Sequence, residues 1–305
     1  MGPTASGKTD LAAELTKRFD VELISVDAAQ VYRQMNIGTG KPDSEFLKQF
    51  PHHLIDIRNP VDTYNVAQFA SDAMGLIQNI HDRGRIPLLV GGTMFYFKAL
   101  ESGLSELPSA DEALRMELEQ EWRDKGAELI HKKLTGIDPD IATKIRPTDT
   151  QRLLRALEIY HLTGQAPSRV MAQSQGVAIR YPLIKIALNA GHRKLLHERI
   201  ELRFLSMVRQ GLVEEVMSLL DIYPELRECP AMRIVGYRQT LDYLDGRCDE
   251  KGMVDAAVAA TRQLAKRQLT WLRQQSNVVW FDVVQPATPH AVNIFLENHP
   301  CIQHL

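Results

Sequence analysis

The 305-residue chain predicts an α/β fold with a mostly parallel sheet and a helical insertion. Three observations carry that reading. Continuous aliphatic runs of strand length occur at Val21 to Asp27, Ile86 to Val90, Pro182 to Ala190 and Asn277 to Val283. They do not alternate with polar residues, as expected of parallel strands covered on both faces. Helical patterns fall between the strands. Between Pro108 and Tyr181, finally, Glu, Arg, Lys, Gln and Leu dominate and strand patterns disappear. The core is therefore assigned to 1–107 and 181–305, and a helical insertion to 108–180.

The elements follow in order. Gly2-Pro3-Thr4-Ala5-Ser6-Gly7-Lys8-Thr9 meets every fixed position of the template G-x-x-x-x-G-K-[ST], which makes the α/β core P-loop NTPase-like, of the ATP- and nucleotide-binding kind. Thr9 to Phe19 reads as helix, with Leu11, Leu15 and Phe19 four residues apart. A loop of this type normally hangs from a buried strand, so about ten residues of apolar strand are expected before Met1. His53 to Ile57 is a further short strand candidate. Val66, Phe69, Ala70, Ala73, Ile77 and Ile80 recur at helical spacing behind the candidate cap Asn65. The insertion predicts helices at Glu112 to Lys125, Gly126 to Thr135 and Thr150 to Leu162. Arg193 to Gln210, Leu212 to Leu220 and Met253 to Gln275 read as later helices.

Composition narrows the class. With 44% hydrophobic and 24% charged residues the chain is that of a soluble globular protein; no apolar run approaches membrane length, and cytoplasm is the expected location. Cys229, Cys248 and Cys301 are odd in number and widely spaced, which suggests neither disulfides nor zinc. The net charge of −2 gives no global sign of nucleic-acid binding. Locally, Ile141 to Arg180 holds six bases (Lys144, Arg146, Arg152, Arg155, Arg169, Arg180) against Asp149 and Glu158, a surplus of four. Arg262 to Arg273 adds Arg262, Lys266, Arg267 and Arg273 without an acid. Either stretch is also what a solvated helix face looks like.

The phosphate loop implies a polyphosphate ligand. Its backbone amides and the following helix N-terminus favour anions, Lys8 reaches the outer phosphates, and the Thr9 hydroxyl suits Mg²⁺. Asp27 ends its strand at the rim where open parallel sheets bind ligands; it reads as a Mg²⁺ ligand, a base, or a helix cap. Ile86 to Val90 runs into Gly91-Gly92-Thr93 rather than an acid, which counts against ordinary ATP hydrolysis. Arg199 and Arg203, with His192, Lys194 and His197, form a basic helix that suits an anion or pairs with Glu198 and Glu201. Arg233-Ile234-Val235-Gly236-Tyr237-Arg238 and Lys266 to Arg273 combine Arg with aromatics, a mixture that grips phosphates and stacks bases, although Trp271 also suits a core.

The phosphate loop, Ile24 to Asp27, Gln30 to Arg33, Ile37 to Pro42, Gly91 to Thr93, Gln151-Arg152, Val235 to Arg238 and Thr261 to Gln268 resemble the bacterial tRNA dimethylallyltransferases, in order and over nearly the whole chain. The resemblance implies transfer of a dimethylallyl group from dimethylallyl diphosphate to N6 of the adenine 3′ to the anticodon, with Mg²⁺. Asp27 would then accept the N6 proton, Thr4 would donate to the bridging oxygen, and Arg203 would stabilise the departing diphosphate. The diphosphate would lie on Gly2, Pro3, Thr4, Ala5, Ser6, Gly7, Lys8 and Thr9, with Thr9 on the metal. The tRNA would touch Asp27, Ala28, Ala29, Gln30, Thr93, Arg115, Gln151, Arg152, Leu153, Leu154, Arg155, Arg233, Gly236, Tyr237, Arg238, Lys266, Arg267, Gln268, Trp271 and Arg273. Its target base must leave the stack to react. Ala28 stands where Ser is common and Gly40 where Ala is common, which questions one hydrogen bond near the adenine. The enzyme is expected to be a monomer without a membrane partner. A kinase of small molecules or nucleotides, with the insertion as a lid, and an idle RNA-binding module are the competing readings.

Overall fold

The computed structural model describes residues 1–104, 107–173, 176, 178–189, 191–283, 285 and 287–303. The chain forms two compact units, Met1–Ala99 with Arg180–Leu305, and Leu100–Ile179.

In the larger unit, α1 (Lys8–Thr16) leads into β1 (Val21–Val26), α2 (Ser44–Gln49), β2 (His52–His53), α3 (Val66–Asp82), β3 (Ile86–Gly91) and α4 (Met94–Ser102). The three strands are parallel in the order β2-β1-β3. The continuous apolar run of β1 is buried almost throughout, as its sequence predicts. α1 stops before Phe19, since Lys17 already caps it. Asn65 caps α3 through a reciprocal bond pair with Gln68, and Phe69, Ala73, Ile77 and Ile80 form its buried face.

The expected strand at 53–57 shrinks to His52–His53. Leu54 and Asp56 adopt left-handed backbone angles, φ 64° and 56°, which end strand geometry. The chain turns there so that Asp56 Oδ1 meets Lys41 Nζ at 2.6 Å and the Ile57 and Arg58 amides donate to Val31 O.

The smaller unit is helical: α5 (Glu112–Lys125), α6 (Ala127–Ile137), α7 (Pro139–Ala142), α8 (Thr150–Thr163) and α9 (Pro167–Gln173). Leu118, Ile130, Leu134, Leu153, Leu154 and Leu157 pack into its own core.

The chain returns to the larger unit with β4 (Lys185–Asn189), α10 (Arg193–Arg209), α11 (Leu212–Ile222), α12 (Tyr237–Leu244), α13 (Glu250–Arg273), β5 (Val278–Asp282), α14 (Thr288–Glu297) and α15 (Pro300–Gln303). Ala190, the expected end of the β4 run, lies outside the described residues. β4 and β5 pair in parallel, and Met1 lies alongside β4, donating to Ile186 O at 2.8 Å and accepting from Leu188 N at 2.9 Å. The phosphate loop therefore starts beside β4. One apolar cluster, with Met35, Phe204, Leu212, Val216, Tyr237 and Ala257 at its centre, joins α10, α11, α12 and α13 to the segment after β1. Among the described residues no helix is long and apolar enough to cross a membrane.

Candidate active site

The phosphate loop turns on two left-handed residues, Ala5 at φ 60° and Gly7 at φ 74°, and Gly7 caps α1. Lys8 Nζ arches back to Pro3 O at 2.6 Å. Gly2, Pro3 and Ser6 are buried, so what they can offer a ligand is backbone. Thr4, Lys8 and Thr9 line a cavity of about 510 Å³ together with Asp27, Gln30, Gly40, Arg203 and Gln268. A second cavity of about 630 Å³ is lined by Ala5 to Leu11 with Arg199 and Arg203. His192 and Lys194, expected to join the two arginines, line neither.

Of the three readings of Asp27, the structure shows the cap. Asp27 Oδ1 accepts from the amides of Ala29 at 2.9 Å and Gln30 at 3.4 Å, so it caps the turn that follows β1 and holds its own carboxylate in one orientation. Among the described residues no hydrogen bond reaches Oδ2. Thr93 sits beside it: its amide donates to Val26 O and its Oγ1 accepts from Ala28 N at 3.1 Å. A hydroxyl used as acceptor keeps its proton to donate.

Arg203 Nη1 stands 3.5 Å from Thr4 Oγ1, and Nη2 lies 3.4 Å from Gly40 O. Gly40 is left-handed, φ 59°, and a Cβ there would overlap Nη2, so this glycine makes room for the guanidinium. Enclosure lowers the Arg203 proton affinity against the pull of Asp27. Enclosure also brings Lys8 down to about 8, with Asp27 raising it and Arg203 lowering it further. Lys8 thus loses its proton as pH rises through about 8. Binding of a diphosphate to the free protein is accordingly expected to weaken from about pH 7 to about 9.5, because the neutral amine no longer pairs with the anion. Titrations of donor binding across that range check this; a flat profile would mean that Lys8 does not hold the ligand.

Several residues expected at the tRNA are committed elsewhere. Tyr237 is fully buried and its hydroxyl donates to Glu215 Oε1 at 2.6 Å. Its ring fills the space beside Gly38, where a Cβ would meet Tyr237 Cε2 at 2.5 Å, so Tyr237 supports the loop and stacks on no base. Gly236 is buried at the start of α12, at φ 100°. Leu153 and Leu154 lie in the core of the helical unit. Arg155 binds Glu158 at 2.6 Å and Pro108 O at 2.7 Å, because the buried Glu158 needs a partner. Trp271 packs with Leu272 and Met94, and Lys98 Nζ sits 5.6 Å from its ring. The Gln268 amide is turned inward, between Thr4 N at 2.9 Å and Gly92 O at 2.8 Å. Arg152, Arg233, Arg238, Lys266, Arg267 and Arg273 are exposed, as is Gln151. Arg115 and Arg152 stand near Glu119 and Asp149, each at 3.5 Å.

Two residues that shape the site carried no sequence signal of that role. Glu215 accepts the amides of Asn36, Ile37 and Gly38 at 2.9, 2.8 and 3.2 Å, yet reads as an ordinary helix acid. Lys41, with its side chain 3% exposed, donates to Tyr32 O, Asn36 Oδ1 and Asp56 Oδ1. Together they fix the 36–42 loop that walls the smaller cavity.

Comparison with known proteins shows the family. The family model described as IPP transferase matches residues 30–275. A tRNA dimethylallyltransferase of Methylobacillus flagellatus is 50% identical over 93% of the chain and 91% of the relative. The crystal structure of a full-length tRNA isopentenylpyrophosphate transferase from Bacillus halodurans is 39% identical, with a TM-score of 0.72 over 100% of this chain and 97% of that one. A eukaryotic dimethylallyltransferase acting on tRNA, 26% identical, superposes with a TM-score of 0.80 over 99% of this chain and 78% of that one. A match over most of the length, on a fold that puts the phosphate loop, Asp27 and Arg203 around one cavity, places this chain in the IPP transferase family.

Proposed function

We propose that the protein transfers a dimethylallyl group from dimethylallyl diphosphate to N6 of the adenine 3′ to the anticodon in tRNA. The observation that carries the reading is one cavity that holds a diphosphate cradle and an anchored carboxylate, with no acid in the Gly91-Gly92-Thr93 turn after β3 to direct a hydrolytic water. The relatives' names supply the dimethylallyl group and the tRNA.

In the reaction the N6 lone pair forms a bond to the allylic carbon as the carbon's bond to the bridging oxygen breaks. Diphosphate leaves with that electron pair. The N6 proton passes to Asp27, whose orientation is fixed by Ala29 N and Gln30 N. Thr4 Oγ1 accepts from Arg203 Nη1 and so keeps its proton to donate to the bridging oxygen. Charge on the leaving group is balanced by Lys8, Arg203 and the loop amides. Mg²⁺ takes few protein ligands and keeps waters and phosphate oxygens. Thr9, with the Asp10 carboxylate on the same cavity, fits such an ion, and among the described residues no group of three or more His, Cys, Asp and Glu competes. Held there, the ion would add positive charge beside the diphosphate.

Label supplied as dimethylallyl diphosphate should enter tRNA, and label on the terminal phosphate of ATP should reach no acceptor; the reverse pattern would establish a kinase. For the tRNA surface, Arg152, Arg267 and Arg273 are each expected to lower the magnitude of the salt slope of tRNA binding by about one unit when changed to Ala. Arg155→Ala is expected to leave that slope alone and to destabilise the helical unit. Titrations at several salt concentrations decide it, and unchanged slopes for all three exposed arginines would place the tRNA elsewhere.

A further inference from the structure

We propose that Gln268 is a positioning residue that locks the donor side of the site to its acceptor side. The inference rests on the prenyl-transfer reading of this cavity. Gln268 projects from α13 between two backbone groups that are remote in sequence. Oε1 accepts from Thr4 N at 2.9 Å, and Nε2 donates to Gly92 O at 2.8 Å. The orientation of the amide is dictated by its partners, because an N–H only donates and a carbonyl only accepts. Thr4 belongs to the phosphate loop. Gly92 precedes Thr93, whose hydroxyl accepts from Ala28 N, and Ala28 follows Asp27. One side chain thus closes a hydrogen-bonded path from the leaving-group end of the cavity to its base.

The Asp27 turn and the phosphate loop lie on different segments, and their separation sets the distance between the attacking nitrogen and the allylic carbon. Misplacement by about 1 Å can cost about 10²-fold in rate. Glycine is required opposite the strut: a Cβ on Gly92 would stand 2.5 Å from Gln268 Nε2. Lys266 and Arg267, the preceding residues of α13, are exposed. The helix therefore offers cations to solvent on one side while Gln268 braces the site on the other.

The test is single-turnover transfer to an anticodon stem-loop RNA, with separate titrations of that RNA and of dimethylallyl diphosphate. Gln268→Ala is expected to slow transfer about 10- to 100-fold at saturation, with both dissociation constants within about twofold of wild type. Gln268→Met, which keeps the length and packing of the side chain but neither hydrogen bond, should behave alike. Gly92→Ala should slow the wild type by displacing the strut, yet add little in the Gln268→Ala background, since the clashing amide is gone. Weaker RNA binding with an unchanged rate at saturation would make Gln268 an RNA contact and overturn the proposal. So would equal rates, or fully additive losses in the double variant. If the wild-type protein transfers no prenyl group, it is the functional reading that fails; wild-type transfer with unaffected Gln268 variants refutes only the strut.

Discussion

Asp27→Asn is expected to lower the single-turnover rate by about 10² to 10⁴-fold at saturating donor and RNA, with RNA affinity nearly unchanged. Asn is the informative substitution because Asp27 has two tasks. Its Oδ1 caps the amides of Ala29 and Gln30, and an amide oxygen still accepts those bonds. The charge that takes a proton from N6 is lost. Asp27→Ala removes the cap as well, so it should be at least as slow and should also loosen the turn. A rate for Asp27→Asn within threefold of wild type, about 0.7 kcal/mol, would remove the carboxylate from the base role.

Lys8→Ala should weaken donor binding and transfer together. Lys8 arches over the loop to Pro3 O and shares a cavity with Asp27 and Arg203, so its ammonium faces both the bound diphosphate and the charge that grows as diphosphate leaves. Removing one such preorganised donor costs about 10² to 10³-fold in rate. Donor titration followed by single-turnover kinetics separates the two effects, and RNA affinity serves as the control. A donor dissociation constant within about threefold of wild type would show that the amides and Arg203 hold the diphosphate without Lys8.

Local pattern carried much of this fold. Four strands lie where unbroken apolar runs stand; β1 is buried almost throughout, as a strand covered on both faces should be, whereas β5 leaves Val279 and Trp280 exposed. The failure at 53–57 is equally physical. Leu54 and Asp56 turn left-handed to bring Asp56 onto Lys41, a demand set by a residue on another segment and invisible in the run itself. The site was legible where chemistry fixes residue type and spacing, as in the phosphate loop and the acid closing β1.

Roles that depend on tertiary partners were not legible. Tyr237 sits in an Arg-rich stretch that looks made for nucleic acid, yet its ring is taken by Gly38 and its hydroxyl by Glu215. Arg155 belongs to a basic run and is spent on the buried Glu158. Gln268 reads as a polar residue on a basic helix face until Thr4 and Gly92 are seen on either side of it. Conversely, Arg152, Arg267 and Arg273 remain exposed, and they are the cations on which the charge argument now rests.

In the proposed reaction the cavity joins a prenyl diphosphate to an adenine amine. The most direct measurement is mass spectrometry of nucleosides from an anticodon stem-loop RNA incubated with the protein, dimethylallyl diphosphate and Mg²⁺. One dimethylallyl group is expected on N6 of the adenine 3′ to the anticodon, formed by wild type and nearly absent with Asp27→Asn. Unmodified RNA, or a prenyl group on another base or atom, would contradict it.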